Sequence, residues 1–121
     1  MTQPVKYTVL NAVTADTTSN SIPVNNADRL SIQFIAASIS AGNGIFTVEI
    51  SNDGTNWLAY NRLTTNVTNT NGQTDTRVAS VTLSSNTSAF VFFPPGDTFT
   101  FFRVKVDMTT DGAYSAIAYV N

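Results

Sequence analysis

The sequence predicts an all-β fold: a single antiparallel β-sandwich, jelly-roll-like, of about eight strands. Three observations predict it. Apolar and polar residues alternate with a period of two through most of the chain, and the period of an amphipathic helix is nearly absent. Runs rich in Gly, Asn, Asp, Ser and Pro interrupt the alternation at regular intervals. β-Branched and aromatic residues fill the segments between, where a pleated, half-buried surface suits them.

Each segment carries its own pattern. "VKYTVLNAV" places Val5, Tyr7 and Val9 on one face, with Val13 further on. "RLSIQFIA" sets Leu30, Ile32, Phe34 and Ala36 against Arg29, Ser31 and Gln33. "IFTVEIS" sets Phe46, Val48 and Ile50 against Thr47 and Glu49. "RVASVTL" reads as one strand, with Ala79, Val81 and Leu83 opposite Ser80 and Thr82. In "FVFF", Phe90 and Phe92 share one face, Val91 and Phe93 the other. "FTFFRVKVDM" aligns Phe102, Val104, Val106 and Met108. "AYSAIAYV" alternates Tyr114, Ala116, Ala118 and Val120 with Ala113, Ser115, Ile117 and Tyr119, and its inward face stays open. The Asn/Thr-rich stretch from Thr64 to Thr76 reads as the longest loop, and Pro94-Pro95-Gly96-Asp97 as a turn.

With 121 residues and no internal repeat, residues 1–121 form one domain. Residues 1–21 have two readings. Met1 to Val13 is a first strand in its own sheet, or an extended arm that a Ser/Thr-rich link, Thr14 to Ser21, lets reach another subunit.

Composition excludes several functions. Charged residues are 12% of the chain, against a usual share of about 25%. Net charge is −2 and the basic residues are scattered, so no electrostatic footprint for nucleic acid is expected. There is no histidine and no cysteine, which removes the usual general base, the usual metal ligands and the thiol nucleophile. The carboxylates Asp16, Asp28, Glu49, Asp53, Asp75, Asp97, Asp107 and Asp111 are spread singly, most of them in expected turns. No enzyme, cofactor or metal site is therefore expected. No apolar run approaches the ~18 residues a membrane span needs, and "MTQPVKYTV" lacks the pattern of a signal peptide. The sequons at Asn66 and Asn86 are expected to be chance in so Asn/Thr-rich a chain. A weakly charged surface suits a subunit held in an assembly.

Two stretches are candidates for function. "SNDGTNW", Ser51 to Trp57, reads first as a hairpin turn in which Gly54 takes positive φ and Trp57 opens the next strand over one end of the core. It reads second as a glycan contact, with Trp57 as platform and Asp53 and Asn56 as hydrogen-bonding groups. A calcium site would need six to eight oxygens, far more than one carboxylate supplies. In "FVFFPPGDTFTFFRVKV", strand parity puts Phe99, Phe101, Arg103 and Lys105 on the face opposite the core residues Phe102, Val104 and Val106. That face is either an intersubunit contact or the covered side of a central strand.

"VEISNDGTNWLAY", then "FFRVKV", then "GAYSAIAYV" resembles a pattern in small β-sandwich virion accessory proteins of tailed phages. In those head-decoration, neck and tail proteins an S-x-D-G-x-x-W hairpin precedes a Y/F-x-R-V/L strand and a closing alternating strand. Discoidin-like carbohydrate-binding domains use a similar hairpin, but the cysteines that often staple their ends are missing here and the chain is somewhat short. The resemblance implies a non-enzymatic structural virion protein, a capsid decoration or cement protein or another head–tail accessory subunit. It would be made in the host cytoplasm and partnered by other virion subunits and by itself as a homo-oligomer. The alternatives are a carbohydrate-binding module attaching a virion or cell-surface structure to glycans, and the subunit of an extracellular filament.

Overall fold

The computed structural model describes residues 5–24, 27, 29–66, 75–94 and 98–121. Twelve strands run through them. The first four are β1 (Val5–Val13), β2 (Thr17–Thr18), β3 (Ile22–Pro23) and β4 (Leu30–Ala37). Then come β5 (Asn43–Ser51), β6 (Leu58–Ala59), β7 (Leu63–Asn66) and β8 (Asp75–Val78). The last are β9 (Val81–Leu83), β10 (Thr87–Phe92), β11 (Phe101–Thr109) and β12 (Ala113–Val120). No helix is described.

One sheet has the order β1-β12-β4-β10-β7-β8 and the other β2-β11-β5-β6, with β3 also on β11 and β9 also on β5. Every pairing is antiparallel. The chain passes from sheet to sheet as it goes: β1, β4, β10 and β12 in the first, β2, β5, β6 and β11 in the second. That exchange is the jelly-roll path, with the β7–β8 hairpin extending one edge.

The core lies between the sheets. Phe34 from β4 and Phe46 from β5 stack across the gap with ring centroids 4.4 Å apart. Ile32, Val48, Val91, Phe102, Val104 and Val106 are fully buried around them. The alternation expected for β4, β5 and β11 is thus the observed one. β12 resolves its open choice by turning Tyr114, Ala116, Ala118 and Val120 inward.

Two readings are corrected. Parity in β1 does not run unbroken: the register on β12 shifts between Thr8 and Leu10 and again between Leu10 and Val13. Tyr7, opposite Ala118, and Leu10, opposite Ala116, therefore share the inner side, while Val9, the extra residue of a bulge, and Val13 pack partly buried against the core as expected. A bulge leaves no mark on an alternating sequence, so alternation does not reveal the buried Leu10 as a core residue. "RVASVTL" is not one strand either. It bends at Ala79-Ser80, so that β8 pairs with β7 in the first sheet and β9 with β5 in the second.

The first segment is a strand of its own sheet, paired with β12 from Val5 to Val13. Of the expected Thr64–Thr76 loop, the flanks are the hairpin β7–β8, and 67–74 lie outside the described residues, as do 95–97 of the Pro-Pro-Gly-Asp turn.

Tyr114 ties the two sheets at one end. Its ring is fully buried against Phe46, and its hydroxyl donates to the Asp111 carbonyl at 2.9 Å. Burial, with the Asp111 charge adding to it, pushes the hydroxyl's pKa up, so it stays a donor. A Cβ on Gly44 would fall 2.4 Å from the ring, so glycine is required for close approach there. Tyr114→Ala is expected to cost about 3–5 kcal/mol in urea unfolding, the usual range for emptying a buried aromatic site. Tyr114→Phe should cost only about 0.5–1.5 kcal/mol, the net worth of one hydrogen bond.

Candidate interaction surface

The stretch Ser51 to Trp57 closes on itself. The buried Ser51 hydroxyl accepts the Gly54 N–H at 2.9 Å and donates to Asp53 Oδ1 at 2.9 Å. The same oxygen accepts the backbone N–H groups of Thr55 and Asn56 at 2.9 and 2.8 Å, and Oδ2 accepts the Asn56 side-chain amide at 2.7 Å. The Asn56 and Thr55 backbone bonds, then the Asn56 and Ser51 side chains, hold the Asp53 carboxyl well below the usual carboxylate range. Gly54 sits at φ +76°, the left-handed region that favours glycine. This is the turn geometry of the first reading.

Trp57 does not cover the end of the core. It stands half-buried on the outer side of the second sheet, with the Arg103 guanidinium 4.3 Å from its ring centroid. Arg103 Nε also donates to Glu49 Oε1 at 2.7 Å, across the β5–β11 pair. The residues of the glycan reading are thus engaged within the chain: four hydrogen bonds meet the Asp53 carboxylate, the Asn56 amide is bound to it, and a cation covers one face of Trp57.

The four residues of the expected interface separate. Phe101, Arg103 and Lys105 do point away from the core, opposite Phe102, Val104 and Val106. Phe101 lies under the turn, its ring 3.6 Å from where a Cβ on Gly54 would sit. Lys105 Nζ is 4.0 Å from Asp107 Oδ2. Phe99 is a correction. It precedes β11, where strand parity no longer applies, and its ring turns to the inner cluster, 5.3 Å from Phe93 and 6.1 Å from Tyr60. Beside it a cleft of about 340 Å³ opens between Leu58, Tyr60, Thr98 and Phe99.

The bare aromatics lie on the first sheet instead. Phe90 is 48% exposed, Phe92 39% and Tyr119 48%. Phe90 and Phe92 run nearly parallel with centroids 6.4 Å apart. Strand pairing sets one lateral row across the outer face: Lys6, Tyr119, Ser31, Phe92, Thr64, Arg77. The adjacent row is Thr8, Ile117, Gln33, Phe90. A notch of about 190 Å³ lies between Phe92 and Tyr119, floored by Ser31 with Arg29 at its end. The signal for this face was the parity of "FVFF". Once Val91 is assigned to the core, Phe90 and Phe92 must face out.

Among the described residues no three of His, Cys, Asp and Glu gather as a metal cluster. No protein-family model and no curated protein matches the sequence. Solved structures are similar in fold. The SPBc2 prophage-derived protein YomS is 18% identical with a TM-score of 0.62, over 98% of this chain and 96% of that one. A chain of infectious bursal disease virus, Gx strain, is 10% identical with a TM-score of 0.50, over 97% of this chain and 31% of that one. PirA is 10% identical with a TM-score of 0.46, over 99% and 94%. The protein is therefore a β-sandwich of a fold found end to end in a prophage-derived protein and within a longer viral chain.

The turn reading has a pH signature. A carboxyl whose folded pKa is lowered stabilises the fold fully above its ordinary pKa, and the contribution is lost as pH falls through the lowered folded value. Asp53→Asn should lower the melting temperature at pH 7 and flatten the loss of stability below pH about 4. Thermal unfolding across pH, followed by Trp57 fluorescence, checks both.

Proposed function

We propose that the chain is a non-enzymatic structural subunit of a tailed-phage virion, decorating or cementing the capsid or serving as a head–tail accessory. The observation that carries this reading is the end-to-end likeness of fold to the prophage-derived protein, 98% of one chain on 96% of the other. The sequence adds a chain with neither histidine nor cysteine and only 12% charged residues, suited to burial among neighbours rather than to chemistry. Its location would be the virion, and its partners other virion subunits.

The mechanism is burial of apolar surface. Phe90, Phe92 and Tyr119 stand on a sheet rather than on a loop, so little order is lost when a partner covers them. Each ring would contribute on the order of 1.5–3 kcal/mol if fully covered. The glycan reading gains no comparable support, because Asp53, Asn56 and Trp57 are engaged with their own chain.

Particles purified by density gradient from the phage or induced prophage that encodes the chain should contain it in stoichiometric amount by mass spectrometry. Deleting its gene should leave particles that lack it and lose integrity or infectivity. Particles free of the chain in the intact strain would refute the reading.

A further inference from the structure

The outer face of the first sheet is apolar at its centre and positive at its rim. Lys6 and Arg77 end the lateral row through Tyr119 and Phe92, and Arg29 lies beside the notch between those two rings. Six strands at about 4.8 Å spacing put the two ends of that row about 24 Å apart. All three cations are exposed, and none has a carboxylate partner among the described residues.

The opposite side of the molecule carries four of the described acids, while Asp75 opens β8 of the first sheet and Asp111 lies in the β11–β12 turn. Glu49 and Asp107 stand on β5 and β11, Asp53 in the turn over them, and Asp16 at the edge, where it accepts the Met108 N–H at 2.8 Å. Arg103 is held by Glu49, and Lys105 lies beside Asp107. No ion pair among the described residues involves Asp16 or Asp53, and with four acids against Arg103, Lys105 and Arg62, which lines the cleft beside Leu58, this side keeps an excess of negative charge. It is also partly apolar: Ile45 is exposed next to Asp107, and Leu58 is the most exposed large apolar residue among the described residues.

We infer that a second copy of this chain covers the aromatic face, docking head to tail, so that the Phe90–Phe92–Tyr119 face of one copy meets the β5–β11 face of the next. Charge complementarity selects this arrangement. Two first-sheet faces placed together would oppose three cations to three cations, whereas first on second opposes cations to a side with more acids than cations, where no cation neutralises Asp16 or Asp53. Such a contact is heterologous, so it closes a ring or propagates as a stack. The inference rests on the structural-subunit reading, but virion composition tests that reading and association of the purified chain tests this one.

The natural chain has no cysteine, which makes cross-linking clean. Gln33→Cys marks the centre of the first-sheet face and Thr47→Cys the second-sheet face. Under mild oxidation, a mixture of the two variants should give the mixed disulfide, while neither alone gives a dimer. Sedimentation of the unmodified chain should show concentration-dependent association that weakens in high salt and is lost in Phe90→Ser, Phe92→Ser, whose mutated positions are exposed and should leave folding intact. Arg29→Glu, Arg77→Glu should lose it as well. A chain that stays monomeric at its highest soluble concentration overturns the inference. So does a Gln33→Cys homodimer, which would mean that the face meets itself, and so does association that survives the double serine variant.

Discussion

The close approach of Tyr114 to Gly44 and Gly112 holds the sandwich in register. A Cβ on Gly44 would lie 2.4 Å from the ring, and one on Gly112 2.5 Å from the hydroxyl oxygen. Only bare backbone lets the ring settle between the sheets. Around it the Asp111 carboxylate accepts the N–H groups of Ser40, Ala41 and Gly42, the last at 2.9 Å. The β4–β5 connection and the β11–β12 turn are thereby bound to each other. From that end run the two longest ladders among the described residues, Ala113–Val120 on Leu30–Ala37 and Phe101–Thr109 on Asn43–Ser51. A one-residue slip in either would turn a whole core face outward, and the Tyr114 contact opposes it in both.

The two outer faces then differ in how they are finished. On the second sheet the chain covers its own surface: the Ser51–Trp57 turn lies over Phe101, Trp57 takes the Arg103 guanidinium, and Arg103 takes Glu49. Polar groups there meet each other locally, which is why no buried side-chain nitrogen or oxygen among the described residues lacks a partner. Nothing described folds back over the first sheet. Its aromatics are exposed although they flank a strand whose neighbour Val91 is wholly buried.

The sequence carried much of this, and the physical reason is period. Where strands are regular, alternation alone separates Ile32 and Phe34 from Ser31 and Gln33, and Phe102 and Val104 from Arg103. The Asp53-Gly54 turn was equally legible, because its chemistry is local. What could not be read depends on events that break the period or span the chain. Val9 bulges, Ala79-Ser80 bends between sheets, and Phe99 falls just outside β11. Parity and the aromatic run point to the outer residues of β11 as the interface. Arg103 meets Glu49 54 positions away in the chain, a pairing no local pattern announces. The exposed face on β10 was visible as parity, but only the fold could decide which side of "FVFF" lay inward.

The edges bear on how such a molecule associates. An exposed, flat edge strand invites addition of a strand from another chain. Here β1, an edge of the first sheet, is broken by two register shifts, and Ala12 sits at φ 51° with its N–H donating to the Ser115 hydroxyl at 2.8 Å. On the second sheet both outer positions are filled by pairs of short pieces, β2 and β3 beside β11, and β6 and β9 beside β5. Three of these four pieces are two residues long. Short, bulged edges offer little ladder for a partner to extend. Backbone pairing is thus blunted at three of the four edges, while side-chain burial remains open on the broad face of the first sheet, and association is directed to the face.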